Sequence, residues 1–229
     1  EPMDASELGE RIGLIPILIS LYATVTRGAY LATAAGLLFI AFVRNKRLLM
    51  PFMVLVVLLI VFAPPYVQER LRSIIDLNHP ENASRLVLWT AGLKIFADHP
   101  VFGVGDIDLH ELFVQHSTPG EVITWGHLHN VLLQILVTLG AVGFIAVVAM
   151  FVRIVVTEWK IYRSVKDDWL AGSFTLGALA VFVGFQVSGL TEWSFGDQEV
   201  VLALWTTLGL TLALGNLSES RKTTAVLPI

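Results

Sequence analysis

The chain has 229 residues, of which 55% are hydrophobic and 15% charged, with a formal net charge of -4 and no cysteine. A soluble domain carries about 25% charged residues. This composition, gathered into long apolar blocks, excludes a disordered chain, a coiled coil and a disulfide scaffold. The acidic balance argues against a general nucleic-acid binder, and the lack of thiols excludes a thiolate nucleophile and a cysteine zinc site.

What remains is an all-α, polytopic transmembrane helical bundle, read as one transmembrane domain over residues 1–229. The first residue is Glu1 rather than Met, and no basic n-region precedes an apolar stretch. No signal peptide is read, and the chain is expected to be a piece of a longer membrane protein. Six apolar segments are read as spans: Gly13–Thr26, Gly28–Val43, Leu48–Ala63 ending at Pro64-Pro65, His129–Val152, Trp169–Leu190 and Val200–Leu217. Several are at or below the length of about 20 residues that crosses the hydrocarbon.

Lys and Arg set the orientation. Arg44-Asn45-Lys46-Arg47, then Arg153, Lys160, Arg163 and Lys166, then Arg221 and Lys222 fall on one side by parity and read as cytoplasmic. Arg27, the long segment 64–128 and the link Thr191–Glu199 then share the outer face. The long segment carries only Arg70, Arg72, Arg85 and Lys94 against eight acidic residues, the expected asymmetry. A connection this long is usually functional. Within it, Leu86, Trp89, Leu93 and Phe96 at helical spacing predict an amphipathic helix over Ala83–Ala97, near the outer interface and ended by Pro100. Asn82 or Ser84 is the expected cap, and Gly103-Val104-Gly105 reads as a tight turn.

Three polar features on the outer face call for an explanation. Arg27 stands between two apolar runs, where an arginine needs water, a lipid phosphate or a partner. The alternative to a ligand site is a snorkelling side chain. Gly28 beside it permits close backbone approach. Arg85 opens the amphipathic helix, either as a solvated cation or as an anion ligand. His129, in Gly126-His127-Leu128-His129-Asn130, precedes a long span. The positive end of a helix dipole favours a neutral imidazole, which can act as a general base. A capping role, or a metal pair formed by His127 and His129, is the alternative. Glu192 and Glu199 are candidates for pairing with the arginines, whereas Asp197 reads as solvated.

These residues together resemble the O-antigen ligase and O-antigen polymerase family. His129-Asn130, nine residues, then Gly140-Ala141-Val142-Gly143 is similar to the family signature. Thr26-Arg27-Gly28-Ala29-Tyr30 resembles its Ser-Arg-Gly-aromatic motif. Ser84-Arg85-Leu86-Val87-Leu88-Trp89, followed by Asp98-His99-Pro100-Val101-Phe102-Gly103-Val104-Gly105, resembles the start of its large periplasmic loop. The resemblance runs from about Leu14 to Leu214 and implies a bacterial inner-membrane glycosyltransferase of lipopolysaccharide biosynthesis, with its site facing the periplasm. It implies a glycan donor on undecaprenyl pyrophosphate, an acceptor hydroxyl on a lipid A-core or another glycan, and neither a metal nor another cofactor. It makes Arg27, Arg85 and His129 catalytic, with Asn130 and His127 as further substrate contacts.

The family has about twice as many spans, so the chain resembles its carboxy-terminal half and implies a missing amino-terminal partner half. Classical ligases also carry a basic residue and a Thr-Tyr pair after the second motif glycine. Here Gly143 is followed by Phe144-Ile145, which leaves ligase and polymerase both open. A transporter or flippase half is the rival outside the enzymes. Transporters place ionisable groups near the midplane, whereas the polar residues here gather toward one face.

Overall fold

The computed structural model describes residues 15–226, apart from 18 and 25. All regular structure among the described residues is helical. A short helix α1 (Ile15–Thr24) precedes α2 (Arg27–Arg44) and α3 (Leu49–Val61). The long connection contains α4 (Pro65–Arg72), α5 (Pro80–Asp98) and α6 (His110–His116). Then come α7 (Val131–Val165), α8 (Trp169–Ser188) and α9 (Gln198–Val226).

Among the described residues, four helices are long and apolar enough to cross a membrane: α2, α7, α8 and the stretch Gln198–Ser218 of α9. Of the six expected spans, four stand among the described residues, or five if α3 and α4 form one broken span. Helix α3 has only 13 residues, and the chain turns by 115° into α4. The pair Pro64-Pro65 explains the break, because a proline cannot continue a helix but fits the first position of the next. The first expected span, Gly13–Thr26, lies partly outside the described residues. No residue of α3 is buried, so its apolar surface is available to lipid.

Small residues build the central seam. Gly28, Ala32 and Gly36 recur every four residues along α2, and Ala180, Gly184 and Ser188 do so along α8. A Cβ at Gly36 would lie 3.1 Å from the Ala180 carbonyl oxygen, and one at Gly184 2.8 Å from that of Ala32. Such stripes let membrane helices approach closely. The seam runs antiparallel and ends where Gly28 meets Ser188 and Glu192, each 3.3 Å from a Cβ at that position. The freedom of Gly28 therefore serves helix packing, and it sets Arg27 beside the loop after α8.

Helix α7 has 35 residues. At about 1.5 Å per residue it exceeds a hydrocarbon core of about 30 Å. It is not continuous: Gly140 has φ 65° and ψ -172°. The loop after α5 fills the break. Val104 and Gly105 donate to the carbonyls of Val137 (3.1 Å) and Thr138 (2.8 Å), while Ala141 and Val142 donate to those of Pro100 (2.9 Å) and Val101 (3.2 Å). Backbone groups freed by the break are thus paired again, as a buried segment requires. The turn expected at Gly103–Gly105 lies just before it, at 100–102, and Gly103 and Gly105, both at positive φ, lead the chain into this docking.

Helix α5 is longer than predicted and begins at Pro80, with His79 rather than Asn82 or Ser84 at the cap position. Its buried residues are Leu88, Ala91, Gly92 and Ile95. Of the four apolar positions used to predict it, Leu86 and Leu93 are exposed, while Trp89 and Phe96 pack at the edge of the core. The helix packs against Leu109 and Phe113 of the α6 region and against Leu128 and Val137. A Cβ at Gly92 would approach Leu128 to 2.7 Å, which places α5 directly against the residue before His129.

Candidate active site

His129 sits in a fixed, left-handed turn. Its φ is 46°, the only positive φ at a non-glycine among the described residues. Such a conformation is costly for a histidine and persists only when its surroundings hold it. Both neighbours are held. Leu128 is fully buried, its carbonyl accepts from Trp89 Nε1 at 2.8 Å, and its N–H donates to Gln134 Oε1 at 2.9 Å. Asn130 caps α7, with Oδ1 accepting from Leu133 N at 3.0 Å and Nδ2 donating to the Leu190 carbonyl at 3.0 Å. Val131 N donates to the Gly189 carbonyl at 2.6 Å. The turn is therefore pinned to α5 on one side and to the end of α8 on the other.

The end of α8 carries Glu192, whose N–H closes a turn onto the Ser188 carbonyl at 3.0 Å. The Glu192 carboxylate bridges two partners. Arg85 Nη2 donates to Oε1 at 3.0 Å, and His129 Nδ1 lies 3.4 Å from Oε2. The second contact is long for a hydrogen bond, but its direction leaves Nε2 of His129 free of protein partners among the described residues. The imidazole also packs edge-on to Trp125, with ring centroids 4.9 Å apart, and beside His127 at 4.2 Å.

Arg27 is more deeply set, with 7% of its side chain exposed. Its Nη1 donates to the Ser73 carbonyl at 2.7 Å and to Asn82 Oδ1 at 3.2 Å, and its Nη2 pairs with Glu81. The other Glu81 oxygen accepts from Arg70 Nη1 at 2.5 Å. Asn82 Nδ2 donates to the carbonyls of Ser73 and Asp76, each at 2.7 Å. This knot closes the corner between α4 and α5. Glu81 and Arg85 are four residues apart on α5, one turn on the same face. The knot and the Arg85–Glu192–His129 cluster are therefore neighbours.

Residues 12–148 match the family model described as O-antigen ligase. The chain belongs to the O-antigen ligase family. It is a multi-pass membrane protein of the ligase and polymerase type, a family whose substrates are polysaccharides and lipid-linked glycans in membranes. No curated protein matches the chain.

The matched stretch of this family member contains Arg27, Arg85 and His129, whereas Glu192 lies beyond it. The fold brings Arg85 and His129 onto one carboxylate and puts Arg27 in the adjoining knot. His127 stacks beside His129. Asn130 has both ends of its amide engaged by backbone, so it holds the histidine turn. Glu199 and Asp197 are exposed and make no ion pair among the described residues. No group of three or more His, Asp or Glu side chains is disposed around a common metal position among the described residues. Sequence reasoning did not single out Glu81, the partner of Arg27. Its only local signal was its spacing to Arg85.

Electrostatics follow the contacts. Burial pushes the Glu192 carboxyl up, but the hydrogen bond from His129 and the charge of Arg85 outweigh it and leave it below the ordinary carboxylate value. Burial opposes the Glu81 carboxylate in the same way, and Arg70 and Arg27 reverse the outcome. Burial and the neighbouring His129 hold His127 below the ordinary imidazole value, so it stays neutral near pH 7. The resulting cluster has one anionic bridge, one guanidinium and a histidine whose outward nitrogen can meet a hydroxyl.

Proposed function

We propose that the chain forms the catalytic part of a metal-independent, inverting glycosyltransferase at the periplasmic face of the bacterial inner membrane. It moves a glycan from undecaprenyl pyrophosphate to a sugar hydroxyl of a lipid A-core. Nε2 of His129 takes the proton of the acceptor hydroxyl as its oxygen attacks the anomeric carbon. The bond from that carbon to the phosphate oxygen breaks, and the electron pair leaves with undecaprenyl pyrophosphate. Direct displacement inverts the anomeric carbon. Glu192 orients the ring through Nδ1 and stabilises the imidazolium that forms, while a base so placed contributes about 10²–10⁴-fold.

The leaving group needs neutralisation of charge more than protonation. Guanidinium forks suit phosphate oxygens, and Arg85 uses only Nη2 on Glu192, so its remaining N–H groups can meet the pyrophosphate as charge builds. Arg27 fixes the start of α5, which carries Arg85. His127 offers a further contact to the acceptor. The observation that carries this reading is the convergence of Arg85 and His129, 44 positions apart in sequence, on Glu192.

One feature favours a second acceptor. Phe144-Ile145 stands where classical ligases carry a basic residue and Thr-Tyr, and a polymerase would use the same site to join glycan to glycan. The test is transfer in proteoliposomes from undecaprenyl-pyrophosphate glycan, with and without a lipid A-core acceptor, in EDTA. Core-dependent transfer, lost in His129→Ala, is expected. Chain growth without the core would make the protein a polymerase. Full activity of His129→Ala would remove the base.

A further inference from the structure

The corner closed by Arg27 also walls a cavity of about 440 Å³ that the transfer chemistry does not use. Its volume is in the range of ligand pockets, about 300–1,000 Å³. Helix α4 supplies Tyr66, Glu69 and Arg72, and the following turn supplies Ser73, Asp76 and His79. Arg70 lines it too, while bonded to Glu81.

Three observations define what would fit. First, Glu69 and Arg72 are exposed and form no ion pair among the described residues, although they stand three apart on one helix. Second, the half-buried His79 side chain stands at the wall with Nδ1 itself closed off from the cavity. Third, the Tyr66 ring is half exposed at the cavity and is braced edge-on by Tyr22, with the two hydroxyls 2.6 Å apart. The wall thus offers donors, acceptors and an aromatic face. Glu69 and Asp76 repel a phosphate, and Arg70 and Arg72 balance them. Neutral hydroxyls are the groups that both signs can bond.

We propose that this cavity is a subsite for neutral sugar residues of a glycan substrate, a step away from the transferring end. Arg72 donates to ring hydroxyls, Glu69 and Asp76 accept from them, and Tyr66 stacks on a sugar face. The proposal rests on the glycosyl-transfer reading for the source of the sugar. The same chemistry suits the donor glycan or the acceptor.

The test is direct binding to the full chain in nanodiscs. The probes are neutral oligosaccharides of two to four sugars, cut from the producing cell's own surface polysaccharide, with inorganic pyrophosphate as the comparison. Tyr66→Ala and Arg72→Ala are each expected to raise the oligosaccharide Kd at least tenfold without changing pyrophosphate binding. Tyr66→Phe, which keeps the ring but not the bond to Tyr22, is expected to bind as wild type does. Transfer assays varying donor and acceptor separately assign the subsite to whichever substrate shows the raised KM at unchanged kcat. An unchanged oligosaccharide affinity in both alanine variants, or no binding by wild type, would overturn the proposal. So would loss of pyrophosphate binding alone in Arg72→Ala, which would make it an anion site. A His129→Ala protein that still transfers would defeat the base and leave this binding result standing.

Discussion

Arg27 and Arg85 look alike in the sequence, each a lone cation beside a small or polar neighbour near an apolar run. The fold treats them differently. Arg27 is buried and donates to a backbone carbonyl, an amide and a carboxylate at once. Arg85 meets one carboxylate, which it shares with His129. A saturated guanidinium holds a corner in place, whereas one with open donors can meet a substrate. The comparison separates an arginine whose guanidinium is taken up by the corner from one that meets a single carboxylate.

The largest effect belongs to the group at the open end. His129→Ala is expected to cut transfer by about 10²–10⁴-fold while lowering the melting temperature only slightly, because the alanine keeps the left-handed turn and loses one part-buried contact, the one to Glu192. Arg85→Ala comes next, with a loss of about 10²–10³-fold, the scale for removing one donor aimed at developing charge. Arg85→Lys is expected to recover only part of this, since an ammonium cannot hold Glu192 and a phosphate oxygen in one planar fork. Single-turnover rates with the protein held in nanodiscs check both. Weaker donor binding with an unchanged single-turnover rate at saturation for Arg85→Ala would show that it binds the ground state as strongly as the transition state.

Arg27→Ala should break the comparison in the other direction. It removes the donor to Asn82 Oδ1 and one of the two donors to the Ser73 carbonyl at the corner. Hydrogen bonds to charged groups contribute about 1.5–3 kcal/mol each, and the exposed side of Glu81 weakens the ion pair. A destabilisation of about 2 kcal/mol is expected, read as a lower melting temperature, with activity falling in step with folded protein. If Arg27→Ala melts like wild type yet loses transfer, its guanidinium acts on substrate directly, and the two arginines have the same task after all.

How much of this was legible depended on how local each cause was. The spans of α2, α8 and α9 were read within a few residues, because an apolar run bounded by charge or a small-residue link is visible in the chain itself. Helix α7 was cut short at Val152 because Arg153, Lys160 and Arg163 read as a link, and they instead continue the helix past its apolar part. The break at Gly140 was hidden, since what stabilises it is a loop some 35 to 40 positions upstream. Glu81 looked like an ordinary acid in the first turn of a helix, where it complements the dipole. Only the fold shows that Arg27, 54 positions earlier, is its partner. Arg27, Arg85 and His129 were picked out by motif. Glu192 was anticipated as a partner for an arginine and does meet Arg85, whereas Glu81 was not, because its partners are set by packing.

Acid should sharpen the contrast with the smallest change to the molecule. His127 lies below the ordinary imidazole value of about 6.5, mainly through burial. The unfolded chain therefore takes up that proton first, and stability should begin to fall as the pH drops below about 6.5. Glu192 and Glu81 lie below the ordinary carboxylate value of about 4.3, held there by the hydrogen bonds and charges of their partners against the cost of burial. Their contributions are complete above that value and are lost as the pH falls through their depressed folded values. A melting curve followed against pH should therefore show two steps. His127→Gln should remove the upper step, and Glu192→Gln should diminish the lower one while leaving the Glu81 part, since Arg27 and Arg70 still hold that carboxylate. A single step unaffected by Glu192→Gln would mean that the bridge to Arg85 and His129 contributes nothing to the fold. Its work would then lie wholly in orienting the histidine.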